Sequence, residues 1–311
     1  MKNILFVSIL AFVSVGCQKL DSFMFSNIEL QEYKLDGFTE DVDFILNDNY
    51  TIESSRIHEL TFESGSNNDL IYGFYLGDIE NISTDTVIMY CHGNYGHMDY
   101  YWQRAKALAN IGAKHRYGVL MVDYKGYGMS EGEPTEEGLV EDVNEGLKWL
   151  KDNGLTSDRL IIYGFSLGSY PSTYLSSTKE GELVPSKLIL EAPFASNQVM
   201  VHDASKLAMS NNYFTTTNYA NADLIKDVEQ PFLLIHGTED AFLALETHGQ
   251  VVYDNYSGVY SRFEKITGAG HSTIPQIMYD AAYEQIYDGN PTEIDVENYT
   301  ELLLDFITHN E

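Results

Sequence analysis

The sequence predicts an α/β protein. The core is a mostly parallel sheet of eight strands with helices on both faces and a short lid insertion. Three observations carry this. From residue 86 onward, short apolar runs alternate with helical stretches roughly ten to twenty residues long. Most of these runs are largely apolar instead of alternating with polar residues, as expected of strands covered on both faces. The chain has 311 residues, 44% of them hydrophobic, ample for a large core.

The elements follow in order. RIHELTF (56–62) alternates, and LIYGFYL (70–76) is aromatic and β-branched. SGSNND lies between them, rich in turn formers, so the pair reads as an antiparallel hairpin. TVIMYC (86–91) is a wholly apolar strand, and YYWQRAKALANIG (100–112) a helix stopped by Gly112. YGVLMVDY (117–124) is a strand. Residues 134–154 form the clearest helix, with Pro134, Glu136 and Glu137 at its start and Gly154 at its end. Leu139, Val143, Leu147 and Leu150 fall on one face of it. DRLIIYG (158–164) is a strand and 166–177 a helix; KLILEA (187–192), PFLLIHG (231–237) and YSRFEKI (260–266) complete the eight strands. Helices are expected at 246–256 and 296–308. Segment 193–229 breaks the rhythm, with no strand pattern and much Asn, Thr, Tyr and Ala. It reads as a lid of one or two small helices over the carboxyl edge of the sheet; a long surface connection is the alternative.

The N-terminus is different in kind. MKNILFVSILAFVSVG offers a positive Lys2 and an apolar run, Ile4 to Val15, of signal-peptide length and too short to span a bilayer comfortably. Gly16 before Cys17 resembles a bacterial lipoprotein signal, although Ser14 stands where leucine is usual. That resemblance implies cleavage after residue 16, lipid attachment at Cys17, and export. The protein would be anchored to a bacterial membrane without spanning it, facing the periplasm or cell surface. Residues 17–55 are polar and weakly periodic, a tether and lead-in before a main domain over 56–311.

Charge narrows the partners. Lys and Arg number 18 against 47 Asp and Glu, a formal charge of -29. Such a surface repels nucleic-acid phosphates. It would suit cationic ligands, although an acidic, soluble surface is the plainer reading. The only cysteines are Cys17 and Cys91. No disulfide framework follows, and Cys91, inside VIMYC, reads as a buried thiol. No structural zinc spacing occurs, and the chemistry read from the strand ends needs neither metal nor organic cofactor.

Chemistry gathers at strand ends. Gly164-Phe165-Ser166-Leu167-Gly168 follows an apolar strand and opens a helix. This is the pattern that lifts a serine clear of the backbone on a sharp turn, with glycines where side chains would crowd it. The amide of Leu167, at a helix start, can stabilise a developing oxyanion. A second donor is expected from the loop His92-Gly93-Asn94-Tyr95-Gly96, namely the amide of Asn94. His92 itself reads as a packing residue. A nucleophilic serine needs a base, and the base an orienting carboxylate. PFLLIHG is followed by Thr238-Glu239-Asp240, and YSRFEKI by Thr267-Gly268-Ala269-Gly270-His271. The candidates are Ser166, Asp240 and His271, with Glu239 the neighbour that could replace Asp240.

These motifs, with DYKGYGMSEGEPTEEG at 123–138, HGTED at 236–240 and GAGH at 268–271, resemble the α/β-hydrolase superfamily over about 57–290. Within it the chain is similar to the BEM46-like and serine-aminopeptidase-like serine hydrolases. The resemblance implies an α/β-hydrolase fold, a Ser166–Asp240–His271 triad and an oxyanion amide at Asn94. It also implies that Asp123 and Ser130 hold their loop and take no part as nucleophile or base. AFLAL after HGTED, and Ser169 beside Gly168, depart from the peptidase-like pattern. Hydrolysis of a small-molecule ester, with a short acyl group, is therefore expected. Amide or peptide hydrolysis is the rival, and ligand binding by a non-catalytic surface lipoprotein the more distant one.

Overall fold

The structure, a computed structural model, describes residues 24–40, 42–205, 216–279 and 293–309. The expected signal segment and Cys17 lie outside these residues, as does part of the lid segment.

The eight strands are β1 (Ile57–Ser64), β2 (Asp69–Leu76), β3 (Val87–Cys91), β4 (Gly118–Val122), β5 (Leu160–Phe165), β6 (Lys187–Glu191), β7 (Phe232–Gly237) and β8 (Ser261–Ile266). They form one sheet in the spatial order β8-β7-β6-β5-β3-β4-β2-β1. Strand β2 runs antiparallel to both neighbours, and the pairings from β4 through β8 are parallel. The helices are α1 (Met98–Ala109), α2 (Glu136–Asp152), α3 (Ser169–Thr178), α4 (Asn197–Ser205), α5 (Asn221–Leu224), α6 (Gly249–Asn255), α7 (Ile274–Tyr279) and α8 (Glu297–Thr308).

The apolar runs of the central strands are uninterrupted because each of these strands feeds two cores. Val87, Met89 and Cys91 of β3 face one way with Leu120, Val122, Leu160 and Ile162, against Leu139, Val143 and Leu147 of α2 and Leu175 of α3. Ile88 and Tyr90 face the other way with Val119, Met121, Ile161 and Tyr163, against Trp102, Ala105 and Leu108 of α1 and Leu303 and Phe306 of α8. This is the two-residue side-chain period of a strand, apolar at both phases. Helix α2 starts where its sequence signals lie: Thr135 caps it by accepting from the amide of Gly138 at 2.9 Å, and Gly154 follows its end at φ +92°. The buried ammonium of Lys125 ties that helix to the loop after β4, donating to Asp142 at 2.8 Å and Ser64 at 2.9 Å.

The lead-in is irregular, but its described part is stitched into the domain. A two-residue strand, Ser26–Asn27, pairs in parallel with Tyr95–Gly96, and Ile45–Leu46 pairs with Glu293–Ile294. Phe25, Val42, Phe44, Leu46, Tyr50 and Ile52 are buried. Val42, Phe44 and Leu46 are buried at the two-residue spacing of an extended chain, as are Tyr50 and Ile52, but these runs are short and the segment is laid along a surface built by other elements.

The junction of β5 and α3 is wedged against the end of β3. A Cβ built on Gly168 would stand 2.0 Å from the carbonyl oxygen of Cys91 and 2.7 Å from that of His92. Both obstacles are backbone, so nothing can swing aside. Gly168→Ala is therefore expected to cost at least the about 1–3 kcal/mol of ordinary core overpacking. Urea unfolding of the two proteins checks this; an unmoved midpoint would mean the end of β3 yields freely.

Candidate active site

Ser166 follows the last residue of β5 and is 5% exposed. Its φ is +49°, the left-handed region that a residue with a Cβ adopts at a cost of about 1–3 kcal/mol. The burial of two or three core side chains, each worth about 1.5–3 kcal/mol, outweighs that strain. The turn is tight because its flanks are glycine. A Cβ on Gly164 would meet the carbonyl oxygen of Gly168 at 2.5 Å and Oγ of Ser172 at 2.6 Å.

Two other strand ends bring their residues to this point. Nε2 of His271 is 2.9 Å from Oγ of Ser166, and Nδ1 is 2.7 Å from Oδ2 of Asp240. An ionised carboxylate only accepts, so the neutral ring carries its proton on Nδ1 and turns the Nε2 lone pair to the serine hydroxyl. Glu239, the alternative carboxylate, is exposed; it is Asp240 that bonds His271.

Asp240 is held from several sides. Its Oδ1 accepts from the amides of Phe242 at 2.9 Å and Leu243 at 2.8 Å. Buried His236, at the end of β7, places Nε2 3.4 Å from Oδ2 and 2.8 Å from the carbonyl oxygen of Leu243. Burial works to raise the Asp240 pKa, but His236, His271 and the Leu243 amide outweigh it and hold the carboxyl well below the usual carboxylate range. His236 was not singled out in the sequence. In HGTED it reads as a strand-end residue, and only the fold aims it at Asp240.

The loop after β3 is built on buried polar contacts. His92 has its ring between the carbonyl oxygen of Gly93, 2.8 Å from Nδ1, and Oδ1 of Asp123, 3.1 Å from Nε2. Asp123 also accepts from the amide of Met98 at 2.9 Å and the hydroxyl of Tyr33 at 2.7 Å. Ser130 donates to the carbonyl oxygen of Asp123 at 2.8 Å and accepts from the amide of Tyr72 at 2.9 Å. Gly93 lies close under two rings: a Cβ there would stand 2.7 Å from the hydroxyl of Tyr101 and 3.0 Å from the Phe165 ring, so a side chain would force them to shift. The Asn94 side chain clamps the lead-in: Oδ1 accepts from Tyr127 at 2.7 Å and the amide of Ser26 at 3.2 Å, and Nδ2 donates to the carbonyl oxygen of Met24 at 3.0 Å.

Two cavities meet at Ser166. One, of about 310 Å³, is mainly apolar, with Met24, Phe194, Met200, Val201 and Leu243 in its wall beside Asn94 and Leu167. The other, of about 220 Å³, holds His271 and is walled by Tyr95, Tyr100, Tyr101 and Phe165. Ser26, Asn94, Ser166 and Phe242 belong to both. Met200 and Val201 come from α4, within the segment read as a lid. Phe242 is 60% exposed and sets its ring edge-on to His271, centroids 5.1 Å apart. Among the described residues no cluster of three His, Cys, Asp or Glu could hold a metal ion, and no helix is long and apolar enough to cross a membrane.

Comparison with known proteins agrees with this architecture. Residues 86–225 match the family model described as alpha/beta hydrolase fold. Alpha/beta hydrolase domain-containing protein 17B of Homo sapiens is 28% identical over 188 residues, which is 60% of this chain and 60% of that protein. Protein 17C of Xenopus tropicalis is 29% identical over 189 residues, 60% of this chain and 56% of the relative. The matches thus span less than two thirds of these relatives. Among solved structures, an esterase of Pyrococcus furiosus superposes with a TM-score of 0.61 at 17% identity, covering 89% of this chain and 98% of that one. An acylaminoacyl peptidase of Pyrococcus horikoshii gives 0.54 at 17%, covering 81% of this chain and 41% of that one. The fold is the α/β-hydrolase fold, and the comparisons support the α/β-hydrolase superfamily.

The depressed Asp240 pKa has a signed consequence. A carboxyl held below its unfolded value, near about 3.9, adds stability that is fully present above that pH. The contribution is lost as pH falls through the folded value. The gap in urea midpoint between wild type and Asp240→Asn should therefore be widest above about pH 5 and shrink below about pH 4. A gap that stays constant down to pH 3 would contradict the depressed carboxyl.

Proposed function

We propose that the protein is a serine hydrolase of carboxylic esters with short acyl groups, acting through an acyl-enzyme. One observation carries the reading: the hydrogen-bonded series Asp240–His271–Ser166 ends on a serine held at left-handed φ where two cavities join. His271 takes the proton of Ser166 as the serine attacks the ester carbonyl. The amides of Asn94 and Leu167 receive the oxyanion. His271 then protonates the leaving alcohol, and a water activated by the same ring cleaves the acyl-enzyme.

The cavities favour esters over amino-terminal peptide bonds. Gripping a substrate ammonium calls for an acidic group, and among the described residues neither cavity wall includes an aspartate or glutamate. The apolar cavity, about 310 Å³, is at the small end of ligand sites, which run roughly 300–1,000 Å³. This supports a short acyl group. Esterases and an acylaminoacyl peptidase share the fold, so the fold itself does not choose between esters and amides. We read the kinship as nearest to the BEM46-like and serine-aminopeptidase-like groups. We read residues 1–16 as an export signal that leaves Cys17 to carry a lipid anchor.

A fluorophosphonate probe is expected to label the native protein and not Ser166→Ala, with ester turnover falling by a factor on the order of 10⁶. A folded native protein that resists the probe would sink the proposal. In a panel of p-nitrophenyl esters and aminoacyl p-nitroanilides, acetate and butyrate should be cleaved fastest. Faster turnover of the anilides would move the assignment to a peptidase.

A further inference from the structure

Behind the histidine loop lies a buried cation with no part in the chemistry proposed above. Arg104, on α1, is 4% exposed. Its Nη1 donates to Oε1 of Glu191 at 2.7 Å, and its Nη2 to the backbone carbonyl oxygen of Ser272 at 2.7 Å. Ser272 is the residue after His271. Glu191 ends β6 and pairs in register with Phe165, the residue before Ser166. The guanidinium carbon sits 4.4 Å from the centroid of the Phe165 ring, and that ring lies 5.4 Å from the ring of His271. One planar group therefore touches the neighbours of both the nucleophile and the base.

The surroundings commit Arg104 to this place. An unpaired buried guanidinium would cost several kcal/mol, so its partners must be fixed. Glu191 is itself buried, and its second oxygen accepts from Tyr299 at 2.7 Å and also from Tyr163. Asp43, from the lead-in, stands 3.8 Å from Nη2, and its Oδ1 accepts from the hydroxyls of Ser272 and Tyr100, each at 3.0 Å. Burial opposes the charge on Arg104, but Glu191 and Asp43 outweigh it and keep the guanidinium protonated. Only arginine presents two coplanar donors that can reach a carboxylate on one element and a carbonyl on another.

We propose that Arg104 is a positioning residue for the Ser166–His271 pair, fixing the His271 loop through the Ser272 carbonyl while its face supports Phe165. The inference rests on the serine-hydrolase reading for its kinetic consequence, though not for its geometry. Arg104 works at one remove: it lines neither cavity and reaches a substrate only through Phe165 and Ser272. Its loss should therefore lower kcat far more than it changes KM.

The test compares wild type with Arg104→Gln and Arg104→Lys, each first checked for folding by circular dichroism. On a p-nitrophenyl ester, glutamine is expected to lower kcat by a factor on the order of 10², as a small misplacement of reacting groups does. Lysine keeps the charge but not the fork; it should recover part of that loss, and it keeps the inference testable where glutamine fails to fold. KM should stay within about twofold, and fluorophosphonate labelling should slow in step with kcat. The second readout is NMR of the His271 Nδ1 proton, whose resonance should move in both variants as the bond to Asp240 is disturbed. Folded variants with unchanged kcat and an unmoved His271 resonance would overturn the proposal, as would a rise in KM at constant kcat. If wild type takes no label and turns over no ester, the function reading falls, and the His271 resonance alone decides the role of Arg104.

Discussion

The site depends on one steric constraint. Within three residues the backbone must leave β5, pass through left-handed φ at Ser166 and enter α3, in a space closed by the end of β3. The space is closed so tightly that Gly168 lies against the carbonyl oxygens of Cys91 and His92. The same contact that forbids a side chain at Gly168 brings the loop carrying Asn94 beside Ser166. The position of the serine and that of the loop are thus a single fact of packing.

Around that point the parallel sheet gathers what local sequence cannot. Strands β3, β5, β7 and β8 all end at one edge. The residues after them, separated by as many as 105 positions between Ser166 and His271, meet within hydrogen-bond distance. The polar groups that hold them lie one layer further in. His236 and two amides fix Asp240, Asp123 and Tyr124 fix the loop at His92, and Arg104 underlies the turn at Ser272. Polar groups buried this deeply raise stability only where they are matched.

How much of this is legible in the sequence follows from the range of each signal. Strands and helices are legible because burial on both faces writes itself as short apolar runs and a 3.6-residue stripe. Ser166, Asp240 and His271 are legible because each sits in a local glycine-bearing turn directly after a strand. Arg104 and Glu191 are not: each lies inside an ordinary helix or strand pattern, 87 residues from its partner, and the pairing exists only once β6 and α1 are placed. The lead-in is obscured for a related reason. Val42, Phe44 and Leu46 do alternate, but the run is only a few residues long, and the rest of the described lead-in follows a path set by other elements, so no extended period marks it in the sequence.

Met24 and Ser26 stand in the cavity wall, tied there by the side chain of Asn94. Both bonds use backbone atoms of Met24 and Ser26, so the two side chains are not what holds the segment there. Exchanging either side chain would reshape the cavity wall without removing the bonds that tie this stretch to Asn94.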